Sequence, residues 1–296
     1  MVSTFPTESA AGTASDIAKD STQYLAFKSD SPNQRLLPMT AAVNAADHLD
    51  VGGCDVVSLV QEFGSPLYIL DEATLRLAAQ QYREALKRHY AGDSLVVYAS
   101  KAWNCLAVCA IALQEKVAID VVSGGELCTA LQAGATGNML YFHGNNKSAE
   151  ELQMGLDADC RFMVDNWHEL ELLAELAQAQ GKTATILLRL TPGIECHTHE
   201  YIRTGHIDSK FGFDPDQLED VFKRVSELSQ LRCVGLHAHI GSQIFELQPH
   251  QDLAGVMVQW YKKAMGYGLP MAELDVGGGL GIRYTESDDP PSIDDW

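Results

Sequence analysis

The stretch that decides the fold is residues 95–104, LVVYASKAWN, a β-branched apolar run that ends in one lysine. On a strand, successive side chains point to opposite faces, so Val97, Ala99 and Lys101 are expected to share one face. This places an amine at the C-terminal end of a buried strand. Desolvation there lowers the pKa of a lysine and leaves more of the neutral, nucleophilic amine. Such an amine can hold an aldehyde cofactor as a Schiff base.

Two other interpretations of this stretch stay open. Lysine is mostly exposed in folded proteins, so Lys101 also fits an ordinary strand-end residue that reaches water. Residues 95–113 are almost uncharged and long enough to span a bilayer. A lysine near the centre of such a span costs about 3 kcal/mol, and together with Ser100 and Asn104 it argues against insertion.

The composition restricts the partners of the chain. Asp and Glu total 40 against 21 Lys and Arg, which gives a net charge of −19. A charge of this sign repels phosphodiester backbones and anionic lipid, so we expect no nucleic-acid partner and no membrane partner. The 7 cysteines are odd in number and scattered, without a CxxC pair, which is typical of reduced thiols in the cytoplasm.

The N-terminal part differs in composition from the rest of the chain. Residues 1–47 are rich in Ser, Thr, Ala and Asp and are predicted to form a disordered tail. They contain no apolar core long enough for a secretory signal. The Ser and Thr content leaves a plastid transit peptide as a minor alternative to a cytoplasmic protein, although Glu8, Asp16 and the scarcity of arginine argue against it.

From about residue 55 the hydrophobic pattern becomes globular. Helices are predicted over residues 56–63 and 72–89, with a strand at residues 66–70 between them. A regular alternation of strand and helix follows, and its strands are short continuous apolar runs, as in a parallel sheet covered on both faces. The predicted strands are residues 95–100, 118–123, 140–144, 162–166, 184–190, 235–240 and 273–277.

Seven such strands are one short of a closed parallel (β/α)8-type barrel. The chain ends at Trp296, soon after the last predicted strand, and an open barrel would leave unpaired strand edges. We therefore expect the sequence to be a fragment, with an incomplete barrel over residues 71–296. The alternative is a complete, open, doubly wound sheet.

In a barrel of this type, functional side chains lie at the C-terminal ends of the strands. Polar or charged residues that could bind a ligand or act in catalysis occur at each predicted strand end. They are Lys101, Asp120, Ser123, Glu126, His143, Lys147, Asp165, Arg189, His237, His239, Ser242 and Asp275.

Two histidines follow the sixth predicted strand in alternation with apolar residues, so both are expected to point into the barrel. They could form a metal pair, a flat platform for an aromatic ring, or part of a hydrogen-bonded core. A metal would need a third ligand, and Cys196, His197 and His199 lie on a separate predicted loop, so we expect no metal. We expect His237 to be a satisfied core histidine and His239 to be the platform.

The run Gly277, Gly278 and Gly279 ends the seventh predicted strand. Without Cβ atoms, consecutive N–H groups can converge on a phosphate. The run does not fit a dinucleotide fingerprint, because the third required glycine position is Ile282. A tight turn is the alternative, but Ser242 on the adjoining strand makes a phosphate-binding cup plausible.

An amine, a ring platform, an arginine and a phosphate cup on one rim are the groups needed to hold pyridoxal phosphate. A barrel that binds a sugar phosphate would use the same cup but would not need Lys101.

Six segments in order, YASKAWN, DVVSGGEL, HGNNKS, THEYIRTGHIDSKFGF, HAHIGSQ and LDVGGGLGI, resemble the diaminopimelate decarboxylases, within the alanine-racemase-like pyridoxal-phosphate barrel enzymes. The resemblance covers about residues 55–296. It implies that Lys101 carries the cofactor and acts in catalysis. It also implies that His239 stacks on the pyridine ring, and that Ser242 holds the phosphate together with the glycine run (Gly277, Gly278 and Gly279).

The resemblance also implies that Arg189 lies near the phenolic oxygen of the cofactor, with Asp120 and Glu126 around the lysine. The implied reaction is decarboxylation of meso-2,6-diaminopimelate to L-lysine and CO2, in lysine biosynthesis. The remaining alternatives are a decarboxylase of another basic amino acid and a non-catalytic homologue that binds pyridoxal phosphate.

Two features of the family have no counterpart in this sequence. They are a Glu-Pro-Gly-Arg motif on the eighth strand and a C-terminal β domain, to which residues 48–70 are expected to belong. By the resemblance, the full-length form would be a homodimer. Because both features are missing, we expect the polypeptide as given to have little activity alone.

Overall fold

The structure is a computed structural model that describes residues 35–194 and 210–296. The described residues form two compact units, residues 35–77 with 284–287 and residues 78–194 and 210–283 with 288–296. Most of the predicted tail, and most of the predicted segment from Thr198 to Phe213, therefore lies outside the described residues.

The first unit contains a three-stranded antiparallel sheet in the order β1-β2-β3 and a short helix. Its elements are β1 (Ala42–Val43), β2 (Leu49–Val51), β3 (Cys54–Asp55) and α1 (Val56–Phe63). Asp55 begins α1 by accepting a hydrogen bond from the Ser58 amide at 2.8 Å, which satisfies one of the free N–H groups of the first turn. Strand β1 lies inside the range predicted as a tail; the domain boundaries themselves stay predictions.

The predicted helices at residues 56–63 and 72–89 are confirmed as α1 and α2 (Glu72–His89), whereas the strand predicted at residues 66–70 is wrong. No described strand lies beside this segment, and Tyr68 is 93% exposed. The backbone N–H and C=O groups of a strand need hydrogen-bond partners on a neighbouring strand. β-Branched and aromatic composition alone therefore did not make this segment a strand.

The second unit is built on seven parallel strands that pair in chain order, as the alternating pattern predicts. The strands are β4 (Val97–Ala99), β5 (Ala118–Val121), β6 (Leu140–Phe142), β7 (Arg161–Val164), β8 (Ala184–Arg189), β9 (Leu231–His237) and β10 (Glu273–Asp275). The helices are α3 (Leu106–Gln114), α4 (Gly124–Gln132), α5 (Ala149–Asp157), α6 (Trp167–Gln180), α7 (Leu218–Glu227) and α8 (Gln248–Gly266). Strand β9 begins four residues earlier than predicted, because the exposed Arg232 interrupts the apolar pattern at its start.

Residues 95–113, which are long enough to span a bilayer, form three separate elements. They contain β4, a 3₁₀ turn (Ser100–Ala102) and most of α3. Within residues 35–194 and 210–296, no helix has the length and apolar character needed to cross a membrane.

The sheet curls into a partial barrel, and three side chains at its N-terminal end show the curvature. Glu273 on β10 accepts hydrogen bonds from Tyr141 on β6 at 3.3 Å and from Arg161 on β7 at 2.9 Å. Strands β6 and β10 would be about 19 Å apart in a flat sheet, since neighbouring strands lie about 4.8 Å apart. These three residues, called the floor cluster below, therefore bridge the inside of a curved sheet, and the predicted parallel barrel architecture is confirmed.

Two apolar layers pack on the two faces of this sheet. The larger layer lies between the strands and the helices and includes Ile119, Phe142, Phe162, Ile186 and Leu236. A smaller interior layer takes one residue from each of five strands. Its members are Ala118, Tyr141, Met163, Leu187 and Val234. Because side chains alternate, the residues two positions beyond Ala118, Tyr141, Met163 and Leu187 also face the interior.

Helix α5 packs closely on the sheet through a glycine, which gives a test of this packing. A Cβ atom at Gly155 would lie 2.6 Å from the Phe162 ring, whereas a Cβ atom at Gly255 in α8 would meet nothing within 4 Å. We expect Gly155→Ala to lower the free energy of unfolding by about 1–3 kcal/mol through overpacking.

The matched change Gly255→Ala should raise the free energy of unfolding by up to about 1 kcal/mol, because alanine favours a helix more than glycine does. Urea unfolding of both variants and the wild type measures the difference. Equal effects of the two substitutions would contradict the described packing of α5.

Candidate active site

A layer of polar side chains lies directly above the interior apolar layer, at the C-terminal ends of the strands. Four of its residues follow an interior-layer residue by two positions, and the other two join the level through strand pairing, His237 opposite Arg189 and Asp275 opposite His237. The polar layer consists of Asp120, His143, Asp165, Arg189, His237 and Asp275. Side-chain alternation thus brings six ionisable groups to one level of the barrel.

Two carboxyl groups of this layer lie among groups that disfavour their ionised forms. Burial and the nearby Asp275 raise the pKa of Asp120 to about 7, while Lys101 and Arg189 oppose the rise. Asp120 Oδ1 lies 3.9 Å from His143 Nε2 and has no hydrogen-bond partner among the described residues. Burial also raises the pKa of Asp275 to about 6, against a hydrogen bond from the Gly277 amide. Both carboxyl groups therefore keep their protons to a higher pH than ordinary aspartates do.

The two histidines of the layer pack edge to face, with ring centres 4.7 Å apart. Burial holds the pKa of both imidazoles well below the usual range, and the charges of Arg189 and Lys101 act in the same direction. We expected both ring nitrogens of His237 to be hydrogen-bonded. For the residues described this is wrong, because His237 Nδ1 has no hydrogen-bond partner among them.

Ligand-type atoms of His143, His237 and Asp275 lie within 4.8 Å of one another, a spacing that a metal ion could draw together. His239, which the sequence paired with His237, does not belong to this group. The positive charges of Lys101 and Arg189, which already disfavour protonation of both imidazoles, would oppose a bound cation for the same reason.

Arg189 ends β8 as a buried guanidinium group. It lies over the Phe211 ring at 4.3 Å from the ring centre, and its Nη1 lies 3.7 Å from Asp165 Oδ1. Burial lowers the pKa of Arg189, and the carboxylates of Asp165, Asp120 and Asp275 oppose that change. Arg189 thus brings a positive charge into the polar layer, as its predicted role requires.

Lys101 lies two residues beyond the end of β4, in the 3₁₀ turn, and its side chain is exposed. The expectation of a desolvated strand lysine is therefore wrong, because the chain leaves the strand after Ala99. The charge of Lys101 nevertheless lowers the pKa of His239 and opposes the rise in the pKa of Asp120. The positive charge of Lys101 therefore acts on groups of the polar layer.

Glu126 holds the turn that carries the lysine. Its Oε2 accepts hydrogen bonds from the Ser100 hydroxyl at 3.0 Å and from the Val122 amide at 2.9 Å. Ser123 begins α4 and accepts a hydrogen bond from the Glu126 amide at 3.3 Å. Glu126 thus contacts Ser100, the residue that precedes Lys101.

The glycine run differs in part from the predicted row of free amides. The Gly277 amide donates to Asp275 Oδ1 at 2.8 Å, and the Gly278 amide lies 3.4 Å from His239 Nδ1. Two of the three amides therefore already contact side chains. The Gly279 amide has no acceptor among the described residues.

The same glycines are required by close backbone approaches. A Cβ atom at Gly277 would lie 2.6 Å from the Ala238 carbonyl oxygen, and one at Gly279 would lie 2.3 Å from the Gly241 carbonyl oxygen. Both residues have positive φ values, of 67° and 112°. A Cβ atom at Gly278 would instead meet nothing within 4 Å, so this position faces open space.

The segment after β9 runs beside the glycine run and carries two more predicted residues. The Ile244 amide donates to the Gly279 carbonyl at 2.9 Å, and the Gly281 amide donates to the Ile244 carbonyl at 2.9 Å. Ser242 is an exposed residue of this segment. Burial lowers the pKa of His239 to about 4, with Arg189 and Lys101 acting in the same direction, so its ring is neutral at neutral pH.

All the predicted site residues thus lie at the C-terminal rim of one barrel. The residues present fit pyridoxal phosphate in charge. The charges of Lys101 and Arg189 act on the polar layer, the Gly279 amide has no described acceptor, and Gly278 borders open space. Sequence reasoning considered His143, Asp165 and Asp275 only as strand-end residues. For His143 and Asp165, spacing by two from the interior residues Tyr141 and Met163 was the signal that could have placed them in one layer.

Comparisons with known proteins agree with this geometry. Residues 72–295 match the family model described as pyridoxal-dependent decarboxylase, pyridoxal binding domain. A diaminopimelate decarboxylase from Synechocystis sp. is 61% identical over 90% of this chain and 59% of its own length. One from Bacillus subtilis is 43% identical over 85% of this chain and 58% of its own length.

Among solved structures, diaminopimelate decarboxylase from M. jannaschii in complex with L-lysine matches with a TM-score of 0.80 and 32% identity. The match covers 86% of this chain and 60% of that protein. The chain therefore spans about 60% of the length of the relatives it matches.

The raised pKa of Asp120 leads to a testable pH dependence. Folding raises this pKa from 3.8 to about 7, so the stabilising contribution is complete below about pH 4 and is lost as the pH rises through 7. Asp120→Asn cannot ionise. Relative to the wild type without cofactor, its free energy of unfolding should therefore increase by about 2 kcal/mol between pH 5 and pH 8.

Urea unfolding at the two pH values measures this change. Asp93→Asn, at an exposed position outside the site, is the control and should differ from the wild type by the same amount at both pH values. A pH-independent effect of Asp120→Asn would contradict the protonated state assigned to Asp120.

Proposed function

The chain belongs to the pyridoxal-dependent decarboxylases, and from this we propose that it forms the cofactor-binding barrel of an enzyme that decarboxylates meso-2,6-diaminopimelate to L-lysine and CO2. The observation that carries the proposal is the 61% identity to the Synechocystis diaminopimelate decarboxylase over 90% of this chain. Because the chain spans only 59% of that relative, the activity, substrate and partners of the whole protein are part of the proposal.

The cofactor of this family is pyridoxal phosphate, and the matched region is its binding domain. We propose that Lys101 holds the aldehyde carbon of the cofactor and that His239 lies against its ring. Ser242 and the glycine run would hold the phosphate. A neutral imidazole suits a ring platform, since it adds no charge beside the electron-poor ring.

When bound, pyridoxal phosphate supplies an electron sink for the pair released as CO2 leaves. The residues of the chain set the charge around that centre. Arg189 provides a fixed positive charge, and Asp120 can hold a proton near neutral pH because burial and Asp275 raise its pKa. Lys101 would be released when the amine of the substrate replaces it on the cofactor, and it is the proposed group that would then return a proton to the substrate carbon that has lost CO2.

The buried position of the polar layer has a catalytic role in this proposal. Electrostatic interactions are stronger where water is excluded, so the charge of Arg189 acts on its neighbours with little screening. Asp275 fixes the start of the glycine run through Gly277, and Glu126 fixes the turn of Lys101 through Ser100. Both ends of the proposed cofactor site are thus held by carboxylates.

Organisation beyond the barrel is also part of the proposal. We propose that residues 48–70 associate with a C-terminal β domain, that residues 71–296 form the barrel, and that the full-length form is a cytoplasmic homodimer. The resemblance to the family supports these points, and the exposed apolar residues of this segment, Phe63 and Tyr68, are consistent with a missing neighbour.

The covalent role of Lys101 can be tested directly. Purified protein mixed with pyridoxal phosphate should develop the absorbance of a lysine imine, and borohydride reduction should fix the cofactor mass on Lys101. Lys101→Ala should abolish both signals. Lys223→Ala, at an exposed position on α7, is the matched control and should retain them. Labelling of another lysine in the wild type would overturn the assignment.

Substrate identity needs a chain of full length. A chimera of this chain with the C-terminal part of the Synechocystis relative should release CO2 from meso-diaminopimelate, with L-lysine as product. Ornithine, arginine and lysine, offered in parallel, should give at most a small fraction of that rate. Preference for one of them would favour a decarboxylase of another basic amino acid. Cofactor binding without CO2 release would favour the non-catalytic homologue, and residues 1–296 alone should show little turnover.

A further inference from the structure

Arg189 is a buried cation whose hydrogen-bond donors find no acceptor in the part of the chain that the structure describes. A guanidinium group carries five N–H donors. None of them donates to an acceptor among the described residues, although the Phe211 ring and Asp165 are both close. The exposed pair Arg224 and Glu171 shows the opposite arrangement, with two hydrogen bonds of 2.7 Å. Among residues 35–194 and 210–296, Arg189 is thus positioned by stacking and charge, which leaves its donors available to a ligand.

Asp165 is in turn held by two hydrogen bonds. Its Oδ2 accepts a hydrogen bond from the Gly212 amide at 3.2 Å, and its own amide donates to Glu169 Oε2 at 3.1 Å. Glu169 Oε1 pairs with Lys147 at 2.8 Å, with both side chains buried. The remaining oxygen, Asp165 Oδ1, has no hydrogen-bond partner among the described residues and lies on the Arg189 side.

Lys147 completes this chain of contacts. Its ammonium group donates to the Gly144 carbonyl at 2.6 Å and to the Met163 carbonyl at 3.0 Å, in addition to its pairing with Glu169. Two of the three donors of the ammonium group are therefore bonded to carbonyl oxygens, and its charge is paired with Glu169. A buried ion pair with these additional hydrogen bonds forms a rigid support beneath Asp165.

We propose that Asp165 is a positioning residue that holds the Arg189 guanidinium group, with its donors unoccupied, toward an anionic oxygen of the bound cofactor. The inference rests on the proposed function, in which Arg189 contacts pyridoxal phosphate. Arginine has many rotamers, and a group fixed in advance loses less entropy when it binds a ligand. A carboxylate at 3.7 Å, too far for a hydrogen bond, attracts the guanidinium group while leaving the donors available.

The test is a double-mutant cycle in the full-length protein, with the dissociation constant of pyridoxal phosphate as readout. Apo protein is titrated with the cofactor, and binding is followed by imine absorbance. Asp165→Asn keeps an acceptor for the Gly212 amide but loses the charge, and should weaken binding about tenfold. Arg189→Met should weaken binding at least as much. In the Arg189→Met background, Asp165→Asn should have no further effect, because Asp165 acts only through Arg189.

Two controls separate positioning from general damage. Glu171→Gln removes the carboxylate partner of an exposed arginine and should change the dissociation constant by less than twofold. Circular dichroism and thermal unfolding verify the fold of each variant. If Asp165→Asn fails to fold, Asp165→Ser, which also leaves an acceptor for Gly212, carries the same test.

The inference is overturned if the folded Asp165 variant binds the cofactor within twofold of the wild type. It is also overturned if the losses of the two single variants multiply in the double variant. If the wild type does not bind pyridoxal phosphate, that result contradicts both the proposed function and this inference. A wild type that binds it normally, with an unaffected Asp165 variant, would remove only the inference.

Discussion

The alternation of side chains along curled parallel strands is the constraint on which this site depends. One set of positions fills the interior with apolar side chains, and the next set, two residues on, places charged side chains above them. The curvature brings strands that are distant in the sheet order into contact, so that His143 after β6 packs on His237 at the end of β9. Seven short strands thus produce a compact polar layer from residues far apart in the sequence.

Charge balance then determines what this layer can do. Three carboxylates, Asp120, Asp165 and Asp275, surround the buried Arg189, and each opposes the fall of its pKa. Burial lowers the pKa of the imidazoles of His143 and His237 and keeps them neutral, and the charges of Arg189 and Lys101 act in the same direction. The layer therefore combines a fixed positive charge, a protonatable carboxyl and neutral rings within a few ångströms, a combination that water alone could not provide.

The sequence predicted the helices and strands and the residues at the C-terminal ends of the strands well. It predicted the burial of individual side chains less well. Continuous apolar runs identified all seven strands, and helical spacing identified α1 and α2 with their observed bounds. Strand alternation did not foresee the turn after Ala99 that leaves Lys101 exposed, because a strand end depends on local hydrogen bonds such as those of Glu126. Composition likewise did not reveal that Asp275 and His239 contact two amides of the glycine run, since such contacts are set by tertiary approach.

The floor cluster connects the architecture of the barrel to its chemistry. Glu273 joins β10 to β6 and β7, and the negative charge of the same carboxylate also helps to raise the pKa of Asp275 two residues away. Scaffold and reactivity therefore share one residue and cannot evolve separately at this point. A neutral replacement of Glu273 would remove the bridge to β6 and β7 and would also lower the pKa of Asp275. A mutation at the N-terminal end of the barrel would therefore change an ionisable group at its C-terminal end.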